Sequence, residues 1–274
     1  MRLLTLKTVL VATDLDDQSG AVLRTAAKLA ELSGAQLHLL HATSVPTPEH
    51  DAQLERLYAA FVPEGPAPTS IMVLHGSPQT LIVQQAAALE ADAIVLGPHR
   101  RGVADIGEMG STAAAVVRTA PCPCLVVPTE LRLPLERLLV PIALRDRLSD
   151  ALAIAITWGS ALRPRENVAR LIVLHVSPSG GSSRADDDLA AAVRSAREYA
   201  GPEARVDIDE GTQVGDDPAA IILERAQAEA PDLLVIGSRL HADGEPELGN
   251  VTRVVARSTP CPLLLVPPGI VGAG

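Results

Sequence analysis

Aromatic side chains are almost missing from this chain: one Trp, one Phe and two Tyr among 274 residues. So few rings give no stacking platform for single-stranded nucleic acid. Lysine occurs twice, at Lys7 and Lys28, and neither stands in a GxxxxGK[ST] loop, which excludes that form of phosphate-binding lysine. HExxH pairs, zinc-ligand spacings and nucleophile-elbow patterns are missing too. There are three cysteines, Cys122, Cys124 and Cys261, all beside prolines in apolar runs and none in a CxxC pair. They read as small buried hydrophobes in a reducing, cytoplasmic setting. Alternation along a strand sets Cys122 and Cys124 on one face, their Cβ atoms too far apart and too parallel for an easy disulfide. Positive charge is also in deficit: the formal net charge is −10. Residues 1–130 hold 8 Lys/Arg and 13 Asp/Glu, so neither half carries a basic footprint for nucleic acid. The opening "MRLLTLKTVLVATD" is too short an apolar stretch, and meets Asp14 too soon, to be a signal peptide or a membrane span. It reads as a first strand.

What the chain does have is a unit written twice. "TAPCPCLVVP" (119–128) returns as "STPCPLLLVP" (258–267), and "ADAIVLG" (91–97) returns as "PDLLVIG" (231–237). "LLHATSVP" (39–46) is echoed by "VLHVSP" (173–178), and "VLVATDL" (9–15) by "LLVPIAL" (138–144). The spacing drifts as loops change length while core elements do not. Two homologous domains follow, 1–130 and 135–274, joined through "PTELRLP" (128–134).

In the first unit the short apolar runs are Val9–Thr13, Leu37–His41, Ile71–His75, Ala93–Leu96 and Leu125–Val127. They are nearly continuous rather than alternating, as strands buried on both faces require. Between them "DQSGAVLRTAAKLAEL" and "PQTLIVQQAAALE" place apolar residues at helical spacing. Strand–helix alternation predicts a five-stranded parallel sheet with helices on both faces, an open α/β fold in each unit. Ligands of such sheets sit outside the carboxyl ends of the strands, where the strand order reverses.

One of those ends opens the stretch "GPHRRGVADIGEMGST" (97–112). If a helix begins near Ser111, its unpaired amides and positive dipole end form an anion site, with the Ser111 and Thr112 hydroxyls as extra donors. The alternative is that Ser111 merely caps the helix. For Asp16 and Asp17 the simplest reading is acids in a first helical turn. His41 and His175 end equivalent strands in both units, which favours a packing or hydrogen-bonding role. His75 reads as a satisfied, half-buried histidine, and "SPSGGSSRADDD" (177–188) as a connector entering a helix.

Taken in order, these motifs resemble tandem universal stress proteins (the UspA family). Nucleotide-binding members carry Gly-x2-Gly-x9-Gly-[Ser/Thr] after the fourth strand, matched here by Gly97, Gly110 and Ser111. Asp14 matches an Asp ending the first strand, and "PCPCLVV" a fifth-strand motif. The second motif glycine is replaced by Arg100, which either crowds the approach of phosphate or supplies a charge-assisted contact to it. The resemblance implies two Rossmann-like domains of the adenine nucleotide alpha-hydrolase-like type. It implies ATP, carried with Mg, in the first: Thr13, Asp14 and Ala42 at the base end, Gly97, Gly110, Ser111 and Thr112 around the phosphates, and His99, Arg100 and Arg101 facing them. No residue is assigned as catalytic or as a metal ligand; the ion uses phosphate oxygens and water.

The second copy, "GSRLHADGEPELGNVT" (237–252), keeps Gly237 and Gly249 but has Leu240 and Asn250 at motif positions, and acids at Asp243, Glu245 and Glu247. The counterpart of Asp14 falls on Ile142 or Ala143. This unit is expected to bind no ATP, or to bind it poorly. The implied whole is a cytoplasmic stress-response regulator that reports its bound nucleotide to a protein partner. Its two units pack as a pseudo-dimer, and two tandem chains associate as a homo-oligomer, without nucleic acid or membrane. Two alternatives stay open: a slow ATPase or phosphotransferase using Arg100 and Arg101, and a nucleotide-free interaction module.

Overall fold

The computed structural model describes residues 6–16, 19–45, 47–97, 110–144, 149–164, 166–179, 184–240 and 246–271. They form two compact units, the chain passing from one to the other between Leu131 and Arg132.

The amino-terminal unit runs β1 (Thr8–Ala12), α1 (Gly20–Ser33), β2 (Gln36–Thr43), α2 (Pro48–Phe61), β3 (Ser70–His75), α3 (Pro78–Ala88), β4 (Ala93–Leu96), α4 (Ser111–Thr119) and β5 (Cys124–Val126). Its strands lie in the order β3-β2-β1-β4-β5, all parallel. Val9, Leu10 and Val11 of β1 and Ala93, Ile94 and Val95 of β4 are fully buried. Their apolar runs therefore became central strands, each large side chain contributing about 1.5–3 kcal/mol by leaving water. α1 buries Val22, Leu23, Ala26, Ala27, Leu29 and Ala30 and stops at Gly34, whose φ of 70° is the left-handed cap that glycine adopts without strain.

The carboxy-terminal unit repeats this plan with β6 (Arg137–Ile142), α5 (Asp150–Ala161), β7 (Ala169–Ser177), α6 (Ala185–Ala200), β8 (Val206–Val214), α7 (Pro218–Glu229), β9 (Leu233–Gly237), α8 (Asn250–Ser258) and β12 (Leu263–Val266). Its parallel order is β8-β7-β6-β9-β12. Two short strands between β9 and α8, β10 (Arg239–Leu240) and β11 (Pro246–Glu247), pair with each other antiparallel. α5 is buried at every residue from Ala151 to Gly159, the signature of a helix enclosed on all sides. At Gly159 it comes so close to the sheet that a Cβ would meet Leu171, Val206 and Ala169 at 3.2–3.4 Å.

One device recurs in both units. The Asp92 Oδ2 accepts the backbone amides of Lys7 and Thr8 at 2.7 and 2.9 Å. Asp232 Oδ2 accepts those of Glu136 and Arg137 at 2.9 and 3.0 Å. Each carboxylate thus pins the start of the first strand to the start of the fourth.

All three cysteines are free and buried. Burial, with the nearby Asp92 charge, pushes the Cys122 thiol up to about 12, and burial also raises Cys124 and Cys261. Thiolate, the reactive form, is therefore suppressed at all three.

After β5 the chain is fastened back onto α1. Glu130 accepts from Arg24 Nε and Lys28 Nζ, both at 2.6 Å, and the Leu131 amide donates to Thr25 Oγ1. Burial alone would raise the Glu130 carboxyl, but hydrogen bonds from Lys28 and Arg24 outweigh it and hold the group below its ordinary value. A depressed folded value means stabilisation that is present above the unfolded carboxylate range and lost as pH falls through the folded value. Arg24 and Lys28 are 39% and 47% exposed, so solvent screening keeps the contribution under about 1 kcal/mol. Glu130→Gln is expected to lower the urea midpoint slightly at neutral pH and to match the parent in acid; a difference that persists in acid would rule out the ion pair as its source.

Candidate functional site

The chain order reverses between β1 and β4 in the amino-terminal unit, because β2 and β3 extend the sheet on one side and β4 and β5 on the other. A parallel sheet opens a crevice at that point, beyond the carboxyl ends of its strands. Register fixes what stands there. Ala12 pairs with Leu96 and with Leu40, so Thr13, Gly97 and the His41–Ala42 pair follow at the same level. The Thr13 amide continues the ladder to the Leu40 carbonyl at 3.0 Å.

Thr13, Ala42 and Gly97 are partly exposed and Asp14 is exposed. Gly97 has no left-handed φ, and a Cβ added there would touch only Val22 Cγ2 at 3.4 Å. Neither backbone geometry nor packing within the described residues demands glycine at this position. α4 begins at Ser111 with Gly110 as its N-cap and no side-chain cap. The alternative that Ser111 caps the helix is thus replaced: Ser111 is the first helical residue and exposed, Thr112 follows it partly exposed, and the N-cap Gly110 has no side chain to accept from the first-turn amides. His99, Arg100 and Arg101 lie outside the described residues.

The turn from β1 into α1 departs from the sequence expectation. α1 starts only at Gly20, with no acid in its first turn, and Asp16 stands before it, its carbonyl accepting the Ser19 amide at 3.1 Å. Asp17 lies outside the described residues. Leu15 adopts a φ of 62°, a left-handed conformation that costs a branched residue about 1–2 kcal/mol. The turn is closed by Ser19, whose buried hydroxyl meets Thr13 Oγ1 at 2.5 Å, Asp16 Oδ1 at 3.1 Å and, at the limit, Asp14 Oδ1 at 3.5 Å. The Leu15 amide donates to Thr13 Oγ1. Sequence reading missed Ser19, since its partners are decided by the turn and not by helix spacing.

His41 is buried, and its Nδ1 donates to the Thr13 carbonyl at 2.8 Å. His175 Nδ1 makes the same bond to Ile142 at 3.1 Å. The two bonds align the units: Thr13 corresponds to Ile142, and Asp14 to Ala143. His75 is exposed rather than half-buried. Its place is the last residue of β3.

The carboxy-terminal crevice is built differently at four points. Ala143 offers no carboxylate. Ser149, the counterpart of Ser19, caps α5 by accepting from the Leu152 amide. Thr252 Oγ1 donates to the Gly237 carbonyl at 3.1 Å, tying α8 to the end of β9; the first unit has Ala113 there. Finally, the Asp150 carboxylate accepts the Gly269 and Val271 amides at 2.7 and 3.0 Å, which lays residues 269–271 against the start of α5. Asp243 and Glu245 lie outside the described residues; Glu247 is placed in β11. Asn250 Oδ1, at the start of α8, accepts from Arg253.

Fold and crevice together define a tandem open-sheet α/β protein. The profile of the Universal stress protein family matches residues 5–128 and again residues 134–267, and the chain belongs to that family. A relative from Thermus aquaticus, "Universal stress protein in QAH/OAS sulfhydrylase 3'region", is 34% identical over 137 residues, covering 44% of this chain and 98% of the relative. A universal stress protein from Archaeoglobus fulgidus shares the fold over 95% of this chain and 98% of its own, at 19% identity and a TM-score of 0.66. A separate universal stress protein structure, in complex with cAMP, aligns with 45% of this chain and 97% of its own, at 28% identity and a TM-score of 0.39. Among the described residues no helix is long and apolar enough to cross a membrane, and no group of three His, Cys, Asp or Glu is placed to hold a metal ion.

Proposed function

We propose that the amino-terminal unit binds an adenine nucleotide, ATP with Mg, in the crevice between β1 and β4, and that the protein acts as a stress-response regulator through that bound state. The observation that carries this reading is the opening of α4: a first turn to which the described residues supply no side-chain cap, flanked by the Ser111 and Thr112 hydroxyls, at the same sheet end as Asp14. Amides and hydroxyls there suit phosphate oxygens. The Asp14 carboxylate, acceptor-only when ionised, suits the exocyclic amine of adenine. Thr13 and Ala42 would line the base, and Gly97 would leave room for the ligand backbone. Arg100 and Arg101 would add charge-assisted contacts, and His99 would stand beside them. Mg would be held by phosphate oxygens and water. The carboxy-terminal unit, with its Ala143 and its occupied α5 start, would serve as the structural partner of the first, and two tandem chains would associate.

The test is direct. Denaturing the purified full-length protein should release about one equivalent of adenine nucleotide per chain, or titration with ATP should saturate at one site. Asp14→Ala and Ser111→Ala should each weaken ATP about 10- to 100-fold, the loss of one hydrogen bond to a charged group. Absence of nucleotide from both experiments would leave an interaction module in its place. Steady turnover abolished by Arg100→Ala would make the protein an enzyme instead.

A further inference from the structure

We propose that His50 is a proton-operated latch on the start of α2. The helix opens with Thr47 as N-cap and His50 at the third helical position. There His50 Nδ1 accepts the Thr47 backbone amide at 3.2 Å. In the usual capping box this position is Glu or Gln, which accept from the N-cap amide over a wide pH range. Histidine accepts only while Nδ1 holds a lone pair, and an imidazolium has none. Among side chains, histidine is the type that serves as a switch near physiological pH.

The second arm of the latch is His41. Its ring centroid is 5.8 Å from that of His50, the planes inclined at 54°. A carbonyl can only accept, so the bond to Thr13 places a hydrogen on His41 Nδ1, and in the neutral ring Nε2 is then an acceptor. A protonated His50 must release the Thr47 amide, and the neighbouring Nε2 offers it a new partner. The helix dipole adds to the change, since a cation in the first turn is unfavourable. Two states follow: His50 on Thr47 with the α2 entrance closed, or His50 turned to His41 with the Thr47 amide freed.

Other charged groups stand around α2. Glu49 and Asp51 share the first turn. β2 contributes His41 and, on the opposite face, the buried His38; β3 contributes the exposed His75. α1 contributes Arg24 and Lys28, directed at Glu130, and Glu31. The turn before α1 contributes Asp14 and Asp16. The carboxy-terminal unit has no counterpart: His175 keeps its carbonyl bond, but α6 opens on Arg184 and three aspartates. The latch therefore belongs to the unit with the candidate crevice, where His41 joins it to Thr13 and so to Asp14. Its effect on nucleotide affinity rests on the function proposed above; the latch itself does not.

The experiment uses the full-length protein and His50→Gln, which keeps an acceptor at every pH. In the parent at about pH 8, two-bond nitrogen–proton spectra should show His50 Nδ1 without hydrogen. Between about pH 8 and pH 5.5, exchange of the Thr47 amide, corrected for its intrinsic pH dependence, should accelerate roughly tenfold. In His50→Gln it should stay level. A level parent, an equal rise in the variant, or hydrogen on His50 Nδ1 at the higher pH would each overturn the proposal. With ATP added, acid should weaken binding severalfold more in the parent than in the variant, and an equal loss would sever latch from crevice. Failure of ATP to bind at either pH would defeat the proposed function, while the amide measurements would still decide the latch.

Discussion

Trp158→Ala is expected to lower the stability of the carboxy-terminal unit by about 3–5 kcal/mol, the range for removing a large aromatic from a core. Trp158 is only 2% exposed and sits near the end of the unbroken buried run of α5. The next residue, Gly159, already brings the helix against Leu171, Val206 and Ala169. A helix clamped that closely cannot settle inward to fill the space left by an indole, so the cavity term should be felt in full. Urea unfolding followed by far-UV circular dichroism reads the loss without needing the chain's only tryptophan as a probe. A change below about 1 kcal/mol would mean that the site collapses or admits water, contrary to the packing described.

Asp92→Ala and Asp232→Ala should each cost about 2–3 kcal/mol, one per unit. In both cases a single carboxylate oxygen takes two backbone amides at the start of the first strand, 2.7–3.0 Å away. Hydrogen bonds to an ionised group contribute about 1.5–3 kcal/mol each, and partial exposure lets water recover some of that. The fourth strand is also held in the other direction, since Asp92 and Asp232 donate their own amides to Thr8 and Arg137 at 2.9 Å. The two variants should therefore be alike, and Asn at either position should lose less than Ala. If one substitution proved silent, the twofold design of these staples would not be a source of stability in that unit.

The pair also shows where sequence reading reaches and where it stops. Repeated apolar runs were sufficient for the strands, which the structure shifts by a residue or two: Val9–Thr13 becomes Thr8–Ala12, and Leu125–Val127 becomes Cys124–Val126. Continuous burial leaves a strong trace because every side chain in a central strand must be apolar. The staples leave none, because Lys7 and Asp92 stand 85 residues apart and meet only once strand order and register are set. α2 was missed for another reason. Its buried stripe rests on Leu54 and Tyr58 amid polar neighbours, so the periodic signal is thin; the Thr47-Pro48-Glu49 start was the readable cue. At the crevice, Asp14, Gly97, Gly110 and Ser111 were legible as a spaced motif. The strained turn at Leu15 and the closing role of Ser19 were not, since neither depends on residue type alone.

The backward kink at Leu15 has a consequence for anyone breeding this protein for endurance. Glycine there would relax the backbone and raise the melting temperature, so a selection that scored heat tolerance alone would find it early. The same relaxation would let the neighbouring aspartate wander. If the crevice takes the nucleotide proposed for it, hardier descendants should hold it less well, and a screen meant to improve the molecule would need to reward both traits at once.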